Sequence, residues 1–312
     1  MKETSKIFLL SPNNNSVFGG IKIINLHASL LSSDYNVFIA EPNKQINKWL
    51  HKPYCNIVSY KDVILDSNEN DIVLCYWNDK LTIETAFNSK AERKYFLSLN
   101  TQPRFRYKKI ENIGEEVYNL NWTNILCTSD YLKSNIEEHS KNTSLITIGV
   151  DTSIFYKKDK IKNTAAYFDR RGSFVDKNID FLKSIGLKLL PIKNKTEVEV
   201  SEILGKAEYF LSITEGLFPT EITNRKKVEG WNMPAQEAMA CGCKVIGYTA
   251  GAAPFMTNET SWVVEDYIEE EFKQKIREAI NSNETKTVKA INVINTSYSL
   301  TNMIDTLLKG IE

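Results

Sequence analysis

Short, continuously apolar runs alternate with helical stripes along almost the whole chain, and this alternation limits the folds open to it. Residues 7–10, 35–40, 57–60, 71–77, 95–99, 123–128 and 145–150 form a first series of such runs. A strand with one wet face would alternate apolar and polar residues. These runs mostly do not, so they predict parallel strands covered on both faces. Between the first two, Gly19 and Gly20 lead into Ile21, Ile24, Ala28 and Leu31, which share one helical face. The repeated strand–loop–helix–strand unit predicts a doubly wound α/β sheet. A second series at 165–168, 188–192, 209–213, 244–248 and 262–264 alternates with helical patterns at 177–185, 197–204 and 234–241.

With 312 residues the chain exceeds one ordinary domain of ~150. The charged stretch 157–163 has no apolar period and reads as a linker between two α/β domains, 1–156 and 164–295. Leu300, Met303, Ile304, Leu307, Leu308 and Ile311 then mark an amphipathic helix in a C-terminal segment, 296–312. Its stripe must be buried, either in the second domain or by crossing back to the first.

Lysine plus arginine total 39 and aspartate plus glutamate total 39, so the formal charge is zero. That argues against a nucleic-acid binder driven by bulk charge. No apolar run reaches the ~18 residues that span a bilayer, and the polar start of the chain does not read as a signal peptide. The five cysteines are odd in number, and Cys241-Gly242-Cys243 lacks zinc-knuckle or redox spacing. A reduced, cytoplasmic protein without a structural metal is the expectation. Neither a Walker-type loop nor a Gly-x-Gly-x-x-Gly fingerprint occurs, which weakens ATPase and dehydrogenase readings.

The most informative string is EGWNMPAQEAMACG, residues 229–242. Pro234 suits the first turn of a helix, where its missing N–H costs nothing. A helix start presents free N–H groups and the positive end of a dipole, a seat for a phosphate. Glu229 lies just before that start, and Glu237 is expected in its first turn. Two such carboxylates can accept hydrogen bonds from sugar hydroxyls on either side of a diphosphate.

This string resembles the GT-B glycosyltransferases of the large retaining family 4 type, whose Glu-x7-Glu motif Glu229 and Glu237 match. The resemblance implies two Rossmann-like domains facing a cleft and a nucleotide-sugar donor. It gives Glu229 a contact to the donor sugar and Glu237 one to the ribose, with Trp231, Asn232 and Met233 beside the donor. Arg170 or Arg171, after the run 165–168, and Lys177 would meet the leaving diphosphate, where an arginine fork and a lysine point charge suit the anion. Gly19 and Gly20 resemble the family's N-terminal glycine loop. Arg171 and Lys177 would supply the charge that Mg²⁺ otherwise supplies, so neither metal nor cofactor is expected. The acceptor implied is a glycan or lipid-linked glycan, with peripheral membrane contact at the inner face and nucleic acid disfavoured.

The chain also departs from that pattern. The loop after 244–248 carries no carboxylate, which leaves the sugar unnamed. Residues 215–228 look like an insertion, either an acceptor loop or a solvated excursion. His27 is either a hydrogen-bonding group in the cleft or a structural histidine. Residues 102–109 interleave basic and aromatic side chains, as an anion-facing segment or a surface loop. Two rival functions remain: a nucleotide-sugar epimerase, which needs no acceptor, and a non-catalytic nucleotide-sugar-binding protein, which releases no nucleotide.

Overall fold

A computed structural model of the chain describes residues 5–99, 114–169, 174–212, 231–248, 253–264 and 269–312. The chain divides into two compact units, Met1–Ile148 with Met303–Glu312, and Gly149–Asn302.

The first unit runs β1 (Lys6–Leu10), α1 (Gly19–Leu31), β2 (Asn36–Ala40), β3 (Ile57–Val58), α2 (Tyr60–Asp66), β4 (Ile72–Cys75), α3 (Lys80–Asn88), β5 (Arg93–Ser98), β6 (Asn124–Cys127), α4 (Asp130–Ile136) and β7 (Thr143–Leu145). Its described strands form a seven-stranded sheet, β3-β2-β1-β4-β5-β6-β7. Every neighbouring pair is parallel. Phe8, Leu10, Val73, Cys75, Phe96, Ile125 and Cys127 join one buried cluster of this unit. Helix starts are written locally: Ser59 with Asp62 forms a capping box for α2, and Asp79 and Ser129 cap α3 and α4.

The second unit holds β8 (Ile161–Phe168), α5 (Phe174–Lys177), α6 (Ile179–Ser184), β9 (Lys188–Ile192), α7 (Glu197–Lys206), β10 (Ala207–Ser212), α8 (Met233–Ala240), β11 (Lys244–Tyr248), β12 (Trp262–Val264), α9 (Glu269–Ile280) and α10 (Thr285–Ser297). Its described strands form a five-stranded parallel sheet, β12-β11-β10-β8-β9. Adjacent residues of one strand feed opposite clusters. Ala166, Phe210 and Val245 belong to one, and Ala165, Tyr209 and Ile246 to the other. That two-sided burial is why these runs are continuously apolar.

The final helix, α11 (Leu300–Ile311), carries the chain back into the first unit, to which residues 303–312 belong. There Thr147 N–H donates to Thr306 Oγ1 at 2.9 Å, Tyr95 O–H to Ile311 O at 2.6 Å, and Asn124 Nδ2 to Gly310 O at 3.0 Å. Met303, Leu307 and Ile311 bury the predicted stripe.

Three local expectations change. The last run of the first series pairs only as Thr143–Leu145; Ile146, Ile148 and Val150 are buried outside the ladder. The charged stretch 157–163 is not an open linker. Lys158 pairs with Glu202, Lys160 Nζ donates to Leu204 O near the end of α7 at 2.9 Å, and β8 already begins at Ile161. One of its lysines meets a helix-end carbonyl and another a helix carboxylate, pairings that a periodicity search does not detect. The helix expected at 177–185 breaks at Asn178 (φ −119°, ψ 21°) into α5 and α6, so Lys177 ends a helix rather than starting one.

Candidate functional site

Open α/β sheets bind ligands beyond the carboxyl ends of strands, where the strand order reverses. In the second unit that point lies between β8 and β10. Arg170 and Arg171 follow β8, and the stretch after β10 leads through Glu229 to α8. Glu229, Arg170 and Arg171 lie outside the described residues, as do 102–109, 215–228 and 249–252. The start of α8 is described. Asn232 caps it, its Oδ1 accepting from Ala235 N–H at 3.3 Å while its Nδ2 donates to Ser212 Oγ at 2.8 Å. One buried asparagine thus ties the helix start to the end of β10. Pro234 sits in the first turn as expected.

Trp231 is held by its indole N–H, which donates to Gln236 Oε1 at 2.8 Å, and by rings Phe255 and Tyr298 at 5.3 and 5.5 Å. Asn232, Met233 and Glu237 are buried. Glu237 is the fifth residue of α8, so it stands in the second turn and no acid occupies the first. The expectation of a first-turn carboxylate is corrected, and with it most of the dipole contribution, which falls off within one turn. Lys177 is exposed. Glu269 is held below the ordinary carboxylate range chiefly by its hydrogen bond to Lys273, with the charge of Lys177 a smaller cause. Lys177 therefore lies within electrostatic reach of the start of α9.

In the first unit the order reverses between β1 and β4. Gly19 and Gly20 open α1 after Phe18, which supplies no side-chain cap. A Cβ on Gly20 would stand 3.0 Å from both Leu99 Cδ1 and Trp77 Cη2, the far ends of two side chains. The loop before it is pinned from afar. Asn14 Nδ2 donates to Gln45 O (3.0 Å), Asn25 Nδ2 to Asn14 Oδ1 (3.0 Å), Asn47 Nδ2 to Asn14 O (2.7 Å) and Trp49 Nε1 to Ser16 O (3.1 Å). Asn14, Asn25 and Asn47 are all buried. Sequence reasoning missed this network; its one signal is a polar Asn25 inside the apolar stripe of α1.

His27 lies in α1 with its Nε2 buried and without a hydrogen-bond partner. It is fully buried, its Nδ1 2.7 Å from Tyr76 O–H, and burial holds the ring down to about 3 from the ordinary 6.5. Ser11 Oγ, just after β1, and Asp79 Oδ2, just before α3, are buried without a hydrogen-bond partner. Both follow strands that flank the reversal, where a ligand's polar group would satisfy them. The thiols of Cys75, Cys127, Cys241 and Cys243 are buried and unbonded to one another, with burial pushing Cys127 up to about 12. They act as small apolar groups. Among the described residues no group of three or more His, Cys, Asp or Glu is placed to hold a metal ion, and no helix is long and apolar enough to cross a membrane.

No protein-family model matches the chain, and no curated protein matches it. Solved structures match in fold. Sucrose-phosphate synthase from Thermosynechococcus elongatus aligns over 98% of this chain and 98% of its own, with a TM-score of 0.70 at 12% identity. A glycosyltransferase from Rickettsia africae ESF-5 aligns over 98% and 97%, at TM-score 0.66 and 13% identity. An alpha-glucosyltransferase solved in complex with UDP aligns over 99% and 100%, at TM-score 0.67 and 11% identity. The two parallel sheets of this chain make up the fold these proteins share, GT-B, with two Rossmann-like domains.

Proposed function

We propose that the protein is a nucleotide-sugar-dependent hexosyltransferase acting with retention of anomeric configuration on a hydroxyl of a glycan or lipid-linked glycan. One observation carries this reading: the start of α8, fixed by Asn232 to the end of β10, with Glu237 buried behind it at the strand-order reversal. The alpha-glucosyltransferase that shares the fold was solved with UDP, which supports a uridine-type donor. Glu229 would contact the sugar and Glu237 the ribose diol. Arg171, backed by Arg170, would with Lys177 stabilise charge on the departing diphosphate, the main electrostatic task of the step. The diphosphate would in turn accept or relay the acceptor proton, with no metal needed. Gly19, Gly20, Trp231, Asn232 and Met233 would line the donor. In this reading the protein works in the cytoplasm, peripheral to the inner face of the membrane.

The test is a thermal-shift panel of nucleoside diphosphates and nucleotide sugars on the whole chain, followed by turnover of Glu229→Ala. A ligand at about 100 times its Kd adds about 2.7 kcal/mol of stability. The expected result is a shift with one ribonucleoside diphosphate, a smaller one with its 2′-deoxy form, and loss of turnover in Glu229→Ala with nucleotide binding kept. No shift with any nucleotide, or full turnover in the variant, refutes the reading.

A further inference from the structure

We infer that the first unit carries a docking surface for an anionic lipid membrane, formed by Val17, Phe18, Ile46, Lys48 and Lys52. The inference starts from a broken local rule. Helix N-caps favour Ser, Thr, Asp or Asn, yet α1 is preceded by Phe18, which gives the helix no side-chain hydrogen bond. Nor does Phe18 fill the core: it is 64% exposed, next to Val17 at 60%. An exposed apolar pair at a helix start that it does not serve calls for another role.

The asparagine network supplies the rest of the surface. Its bonds from Asn14 to Gln45, Asn47 to Asn14 and Trp49 to Ser16 zip residues 14–16 against residues 45–49. The exposed residues along that seam are thereby brought together: Val17 and Phe18 just after residues 14–16, Ile46 at 45% exposure and Lys48 within 45–49, and Lys52 just beyond. Buried Asn14, Asn25 and Asn47 make the two loops one stiff platform. Trp49 is half-buried and its indole N–H bonds Ser16 O, which stiffens the seam.

Charge points to the occupant. The chain is neutral as a whole, yet residues 12–33 and 42–60 contain no Asp or Glu. Lys44 is paired with Asp62 at 2.7 Å, whereas Lys48 and Lys52 are exposed and have no carboxylate partner among the described residues. Unpaired lysines around aliphatic tips match a surface that is negative outside and apolar beneath. A nucleic-acid strand would instead need exposed flat rings for its bases, and two of the three exposed tips are aliphatic.

This deepens the peripheral membrane contact of the proposed function and rests on that reading only for what the contact serves. Binding is measured without donor or acceptor, so each reading can fail while the other stands. The experiment is flotation of the whole chain with phosphatidylcholine vesicles and with vesicles rich in phosphatidylglycerol, at low and high salt. The expected result is more than about tenfold stronger partitioning onto the anionic vesicles at low salt. Lys48→Gln with Lys52→Gln removes that preference, and Val17→Ser with Phe18→Ser weakens binding to both vesicle types. Melting temperature checks that each double variant is folded. Equal partitioning onto the two vesicle types overturns the inference. So does unchanged binding by either folded variant, or binding of a single-stranded oligonucleotide without binding to vesicles.

Discussion

The two strand-order reversals are held open in opposite ways. In the second unit α8 begins at its own cap: Asn232 accepts from Ala235 N–H three residues on, and the same side chain grips Ser212, twenty residues back at the preceding strand end. In the first unit α1 has no cap of its own, and the loop before it is fixed by Asn47 and Trp49, some thirty residues downstream. The difference teaches where specificity is stored. A locally encoded helix start is stiff wherever its short motif occurs. A loop tied at long range depends on the whole domain being folded.

That comparison breaks most sharply at Gly247. A Cβ there would lie 2.1 Å from Ser212 O, a backbone atom of the paired strand that cannot step aside. Gly247→Ala is expected to cost the second unit about 3 kcal/mol or more. It would also displace Ser212, and with it the grip on Asn232. Hydrogen exchange read by mass spectrometry, segment by segment, should show β10, β11 and α8 exchanging faster while β1 and β4 keep their protection. Equal loosening of both units would mean that they fold as one cooperative block.

Acid sharpens the contrast from the other side. All three histidines fall in residues 1–148 of the first unit. His27 is held down to about 3 in the folded protein, so between 6.5 and that value the unfolded chain binds the extra proton. Stability from the buried neutral ring is therefore complete above about 6.5 and is lost as pH falls below it, at up to about 1.4 kcal/mol per pH unit. By about pH 5 the first unit should lose about 2 kcal/mol through this residue. His27→Gln should flatten that dependence, whatever it costs at neutral pH. An acid transition of the same slope in the variant would place the proton elsewhere.

The fold was readable because its cause is local and repeated. Runs such as 244–248 and 262–264 coincide with β11 and β12, since a strand covered on both faces is mostly apolar. The ends of elements were less readable wherever a side chain distant in sequence decides them. Lys160 reaching Leu204 O turned an apparent linker into the lead-in to β8. The candidate site divides along the same line. The motif around Pro234 announced α8 and its buried Glu237, although a helix start one residue earlier than expected moved that carboxylate into the second turn. Tyr76 on His27, and Asn14 on Asn47, join residues 49 and 33 positions apart, and no short pattern records such pairings.

The smallest expected effect on stability is at Gly20, and it decides why that glycine is there. Its backbone is ordinary helix, so conformational freedom is not the reason. An added Cβ would meet Leu99 Cδ1 and Trp77 Cη2 at 3.0 Å. Both contacts are the far ends of side chains that can shift by a few tenths of an ångström. Alanine also gains up to about 1 kcal/mol over glycine inside a helix, which offsets the crowding. Gly20→Ala should therefore change stability by less than about 1 kcal/mol in either direction. If packing alone requires the glycine, nucleoside diphosphate affinity should be as small a casualty as stability. If instead Gly20 lines the donor, as the proposed function has it, and does so with its amide toward the diphosphate, a methyl at this position should weaken the diphosphate about tenfold while leaving the bare nucleoside unaffected. Calorimetry with both ligands on the variant and the parent separates the two causes, and equal losses for nucleoside and diphosphate would remove Gly20 from the donor site.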